Sequence, residues 1–220
     1  MTDPFVPYRP VSYANVAMLG RARGFEAEMD TRRSVRHFSS RNVPRECIET
    51  AIRTASTAPS GAHRQPWKFV AVANPSLKER IRSAVEEEER ISYERRMSEE
   101  WKEAIRPIGT NWQKPYLTTV PWLVIVFEEA YSENDQGKQK NYYVKESVGI
   151  ACGLFIAALH HMGLCTLTHT PSPMDFLGTI LDRPSNERAF MLFPVGYAAD
   201  DARVPNLKRK PLNEIATFHH

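Results

Sequence analysis

Apolar and polar positions along this chain switch between a period near two and a period near 3.6, and the switches outline its elements. Trp122–Phe127 (Trp-Leu-Val-Ile-Val-Phe) is an almost unbroken apolar run, the mark of a central strand covered on both faces. Trp67–Ala73 is rich in β-forming residues and closes at Asn74-Pro75, which predicts a second strand. Ala189–Val195, ending at Gly196-Tyr197, predicts another buried strand, and Leu164–Thr170 a short one that stops at Pro171. Helical spacing places Cys47, Ile48, Ala51, Ile52 and Ala55 on one face of a helix entered at Pro44, whose missing N–H costs nothing at a first helical position. Further helices are predicted over Phe25–Val35, Ser76–Met97 and Met174–Leu181. Ser147–Met162 is apolar nearly all round, hence a buried helix, capped by Gly163; Gly149, Ala151 and Gly153 permit close approach of another helix or subunit. The first thirty residues, with Pro4, Pro7 and Pro10, read as an arm, Ser98–Tyr116 as irregular, Tyr131–Asn141 as a polar loop and Val204–Pro211 as extended. The expectation is one α+β domain over 1–220, helices around a central mixed sheet, with an arm over 1–30 and a tail over 204–220.

Composition narrows the function class. A formal charge of +3 on 220 residues, with basic residues in short clusters, argues against a general nucleic-acid surface and fits a few local anion sites. The three cysteines (Cys47, Cys152, Cys165) show no Cys-x-x-Cys spacing, so neither a disulfide framework nor a metal site is expected, and a reducing compartment fits. Met1–Gly24 carries no apolar signal core, and no stretch approaches the ~20 apolar residues of a spanning helix. A soluble, cytoplasmic protein with no membrane partner is expected. Phosphate-loop, dinucleotide-fingerprint, serine-hydrolase and zinc motifs are missing from the sequence. The hard chemistry is therefore expected from a cofactor.

Two stretches suit holding one. Ser56–Lys68 (Ser-Thr-Ala-Pro-Ser-Gly-Ala-His-Arg-Gln-Pro-Trp-Lys) joins a predicted helix to a predicted strand. Its small residues let backbone N–H groups come close to a ligand. Arg32-Arg33-Ser34-Val35-Arg36 puts a basic cluster near a predicted helix start, which suits phosphate. Residues 86–116, interrupted by Pro107, Gly109 and Pro115 yet carrying Trp101 and Trp112, read as an active-site lid.

These stretches together resemble the nitroreductase superfamily of flavin enzymes and, within it, the iodotyrosine deiodinases, over Met29 to Ile215. The resemblance implies a nitroreductase-like fold, an intertwined homodimer with two equivalent interface sites, and FMN. It assigns Arg32, Arg33, Ser34, Val35, Arg36, Ser60, Gly61, Thr168, His169, Thr170 and Arg209 to the cofactor, with Thr170 as the hydroxyl nearest flavin N5. Ala62 matches the residue whose backbone meets the substrate phenolate; Glu89, Tyr93 and Lys114 match the groups that grip the amino-acid zwitterion. Where the chain has His169, the relatives carry Thr. The implied reaction is reductive dehalogenation of 3-iodotyrosine and other halotyrosines, fed by a reductase or NAD(P)H. Two alternatives stay open from the sequence: a general NAD(P)H-dependent nitroreductase, and a non-catalytic flavoprotein that senses halotyrosine.

Overall fold

The computed structural model describes residues 5–135 and 137–219. Residues 1–4 of the expected arm, 136 of the expected polar loop and 220 of the tail lie outside it. The chain divides into two units, Met1–Arg32 and Arg33–His220.

In the first unit, α1 (Asn15–Thr31) replaces most of the expected arm and takes in the front of the helix expected over 25–35. It fully buries no side chain, so it needs no apolar stripe. Its Ala, Met, Leu, Arg and Glu content supports a helix by propensity alone.

The second unit is built on a four-stranded sheet in the order β1 (Trp67–Val72), β2 (Trp122–Glu129), β6 (Glu187–Gly196), β5 (Cys165–Thr166). All three ladders are antiparallel. Among the described residues, the sheet is mixed only through an isolated parallel bridge between Ser34 and Thr166. The unbroken apolar run of β2 is explained by cover on both faces. Val124 and Val126 join a core with Ile48, Ala51 and Ala55 of α2 (Arg45–Ala55) and Phe155 and Leu159 of α6 (Val144–His161). Leu123, Ile125 and Phe127 join another with Ile81 and Val85 of α3 (Pro75–Ile91), Leu117 of α5 (Tyr116–Thr119) and Leu177 of α7 (Asp175–Ile180). Of α6, Gly149, Ile150 and Gly153 remain exposed. Gly163, at φ +75°, ends that helix in the left-handed turn a glycine permits.

Two segments differ from their expectation. Ser98–Tyr116 contains α4 (Glu99–Ile105) followed by a 3-10 turn, Arg106–Ile108. Ser98 caps α4, its Oγ accepting from Trp101 N at 3.1 Å, and Glu99 and Glu100 suit the positive end of the helix. The polar loop is a hairpin, β3 (Tyr131–Asn134) with β4 (Gly137–Lys140). Leu212–Ile215 adds a short α8 to an otherwise extended tail.

Candidate active site

The site grows out of α3. Asn74 caps it by accepting from Leu77 N at 2.9 Å, with Pro75 at the first position. Ile81 and Val85 are fully buried, and steps of four along the same stripe reach Glu89 and then Tyr93. Glu89 thus occupies a core-facing position, its side chain 14% exposed. Immediately beyond, the backbone widens into a π-helical turn over Ser92–Arg96, closed by Met97 N donating to Ser92 O at 2.8 Å. Arg96 holds this turn by reaching Glu88 Oε2 and Ser172 O, each at 2.9 Å.

Lys114 arrives from the segment ahead of α5. Its backbone N–H donates to Glu86 Oε1 at 2.6 Å, and Glu86 in turn accepts from Arg82 Nε at 2.9 Å. Lys78 ties α3 to the end of α5 by donating to Val120 O at 2.6 Å. So fixed, Lys114 is 2% exposed, and its ammonium lies 3.4 Å from Glu89 Oε2 and 5.8 Å from the centre of the Tyr93 ring. It also donates to Thr110 Oγ1 at 3.3 Å and to Asn111 O. Burial raises the Glu89 pKa against the opposing pull of Lys114. Burial likewise lowers that of Lys114 against the pull of Glu89. Each charge is desolvated and relies on the other.

The strand-like Thr168–Thr170 segment completes the wall, with His169 exchanging backbone hydrogen bonds with Leu192 at 2.9 Å in both directions. Alternation leaves Thr168 and Thr170 exposed and turns His169 inward, 7% exposed. The imidazole Nδ1 lies 3.4 Å from Tyr116 Oη, and Nε2 lies 3.5 Å from Glu89 Oε1. Burial, with the nearby charges of Lys114 and Arg36, pushes the His169 pKa down to about 3. The ring is neutral at pH 7, so its contact with Glu89 is not an ion pair.

Arg36, Glu89, Tyr93, Trp101, Lys114 and Thr170 all line one cavity of about 190 Å³. A second cavity, of about 230 Å³, is lined by Ser34 and Arg203 and shares Arg36 with the first. Val35 is buried and donates to Thr166 O at 3.3 Å, which fixes its two neighbours beside the sheet edge. Arg33 opens the second unit, while Arg32 follows α1 in the first. Arg209 is exposed on the tail and lines neither cavity.

Ser60, Gly61 and Ala62 lie elsewhere, in the turn that leaves α2. A Cβ on Gly61 would stand 2.6 Å from Tyr142 O, which explains a glycine there. Gly61 N donates to Ser147 Oγ of α6 at 3.4 Å. Ala62 and His63, at φ 50° and 54°, hold the left-handed backbone that non-glycine residues rarely adopt. This turn joins the α2–α6 side of the sheet, whereas Glu89, Lys114 and His169 belong to the α3–α5 side. Glu86, Thr110 and Tyr116 fall within the lid expected over 86–116, but no local pattern singles them out as parts of the wall. Their roles come from contacts made across the fold.

The nitroreductase family model matches residues 29–197. The iodotyrosine deiodinase of the bacterium Haliscomenobacter hydrossis is 55% identical over 207 residues, 94% of this chain and 93% of that protein. That of the zebrafish Danio rerio is 49% identical over 216 residues, 96% of this chain and 72% of that protein. Among solved structures, oxidized iodotyrosine deiodinase bound to FMN and 3-iodo-L-tyrosine superposes with a TM-score of 0.77 at 30% identity, covering 88% of this chain and 100% of that one. With the fold, the capped stripe carrying Glu89 and these matches together, the chain belongs to the nitroreductase family, within its iodotyrosine deiodinases.

Proposed function

We propose that this protein is an FMN-dependent reductive dehalogenase that removes halide from 3-halotyrosines, 3-iodotyrosine foremost. The observation that carries this reading is the Glu89–Lys114 pair. A carboxylate and an ammonium are held desolvated, 3.4 Å apart, in the wall of a cavity that Tyr93 also lines. A ligand bearing both charges can insert there, giving its ammonium to Glu89 and its carboxylate to Lys114 and Tyr93. A nitroarene offers neither charge. The names of the relatives and the FMN and 3-iodotyrosine of the solved relative support the same conclusion.

The donor set suits FMN. Ser34 and Arg36 line the second cavity, and Arg36 borders both. Arginine binds phosphate and ring oxygens with paired N–H groups. In this reading Arg32, Arg33, Ser34, Val35, Arg36 and Arg209 hold the cofactor's phosphate and ribityl oxygens. Ser60, Gly61, Thr168, His169 and Thr170 flank its ring, and the Ala62 backbone receives the phenolate. Exchanging C–I for C–H takes two electrons and a proton, and FMN, when bound, supplies the electrons. The chain's own residues bind, orient and exclude water, and Thr170 presents a hydroxyl at the ring.

A single copy brings the two halves of this set to opposite sides of its sheet. The reading therefore includes a homodimer, in which the turn at Ser60–Ala62 of one copy faces the cavity of another. The exposed Gly149, Ile150 and Gly153 of α6 offer a surface for that approach. The protein is expected to sediment at twice its chain mass, and Ile150→Glu to give monomers that lose FMN. A monomeric FMN-loaded wild type would refute the shared site.

The central test is anaerobic. Reduced protein mixed with 3-iodotyrosine is expected to reoxidise its flavin while releasing one iodide per flavin. Binding without iodide release would make this a sensor, and nitroarene reduction without iodotyrosine binding a general nitroreductase.

A further inference from the structure

The reading above gives His169 a place beside the flavin ring but no role to its imidazole, which lies in the cavity wall. Its ring is buried behind Glu89, and Nε2 has no hydrogen-bond partner among the described residues. Leaving a buried polar atom unanswered is costly, so the arrangement calls for a reason. The groups facing the ring are Glu89 from α3, Lys114 and Tyr116 from around α5, and Arg36, two residues past the Ser34 bridge.

The tautomer follows from these neighbours. Burial raises the Tyr116 pKa, so its hydroxyl keeps its proton at neutral pH. Nδ1 of the neutral ring, 3.4 Å away, is its available acceptor. The ring proton then resides on Nε2, which faces Glu89 Oε1 at 3.5 Å. The opposite tautomer would aim a lone pair at a carboxylate. We propose that His169 is a positioning residue: Tyr116 O–H donates to Nδ1, Nε2–H donates to Glu89 Oε1, and Oε2 is thereby reserved for a cation. In the structure that cation is Lys114. In the occupied site, on the halotyrosine reading, it is the substrate ammonium, while Lys114 turns to the substrate carboxylate. The contact at 3.5 Å shortens as the wall closes on the ligand, as catalytic hydrogen bonds commonly do. A donor at Oε1 also keeps Glu89 ionised against the burial that works to neutralise it.

The test uses the FMN-loaded protein and has two arms. Without ligand, histidine 15N–1H correlation spectra should show His169 neutral with its proton on Nε2 at pH 7, and Tyr116→Phe should erode that preference. With 3-iodotyrosine, followed by flavin fluorescence, His169→Leu should bind roughly tenfold more weakly, about the worth of one hydrogen bond to a charged group. His169→Gln, which can accept and donate at similar positions, should recover most of the loss. In a Glu89→Gln background, His169→Leu should cost nothing more, because the group it positions is gone. A ring proton on Nδ1, a cationic ring at pH 7, or an equal loss in both backgrounds would overturn the proposal. A wild type that fails to bind 3-iodotyrosine overturns the substrate reading instead, and the tautomer then decides the relay by itself.

Discussion

Glu89→Gln is expected to weaken 3-iodotyrosine binding by roughly two to three decades, the equivalent of the 3–5 kcal/mol lost when one member of a desolvated pair is left unanswered. The substitution keeps shape and volume and removes only the charge. Glu89 is 14% exposed and Lys114 less, so water does little to screen the change. In the wild type the incoming zwitterion exchanges one buried pair for two, Glu89 with its ammonium and Lys114 with its carboxylate. In the variant the ammonium meets an amide, and Lys114 loses its partner even in the empty site. The FMN content should not change, because the residues read as holding the cofactor are others. The control is 3-(4-hydroxy-3-iodophenyl)propanoate, which keeps ring, iodine and carboxylate but has no ammonium. It should bind Glu89→Gln at least as well as the wild type, because in the wild type it draws Lys114 away from Glu89 and leaves that carboxylate without a cation. Wild-type dehalogenation efficiency in Glu89→Gln would dismiss the zwitterion assignment and favour a general nitroreductase.

What could be read from the sequence followed burial. β1, β2 and β6 announced themselves because their apolar positions are dictated by two packed faces, and α2 because one face meets α6. The hairpin β3–β4 was missed because a mostly exposed two-stranded ribbon needs no apolar alternation. Its signal was the turn ending at Gly137, whose φ is +94°. The part of α1 before Phe25 was missed for the related reason that a helix fully burying no side chain shows no stripe. α4 could have been found: Ser98 with two glutamates behind it is a helix start, and the breakers downstream obscured it. At the site, the four-residue step from Glu89 to Tyr93 is local and was legible. The contact of Tyr116 with His169 joins residues 53 apart and exists only because the sheet brings them together. No local pattern encodes it.

Acid should expose that contact. Between pH 6.5 and pH 4.5 the wild type is expected to lose about 2–3 kcal/mol of stability relative to His169→Gln, near 1.4 kcal/mol for each pH unit. The sign follows from the folded ring's pKa, about 3 against an ordinary 6.5. Below pH 6.5 the unfolded chain takes up a proton that the folded ring refuses. The stability is therefore intact above that pH, falls as the pH drops, and stops falling near pH 3. Glutamine does not titrate, so the variant lacks this slope. Glu89 acts in the opposite direction: its raised folded pKa means that the folded state takes its proton earlier, a relative gain as the pH falls. It is present in both proteins and largely cancels in the comparison. Urea unfolding at fixed FMN concentration from pH 7.5 to 4.5 measures the difference directly. The profile also decides a contest at the ring, where Glu89 at 3.5 Å favours a charged imidazole while burial, Lys114 and Arg36 oppose it. Curves that diverge below pH 6.5 mean that burial and the two cations win. Curves along which the wild type instead gains on the variant as the pH falls from 7.5 mean that His169 is an imidazolium paired with Glu89, and that the ammonium of a substrate would meet a carboxylate already neutralised.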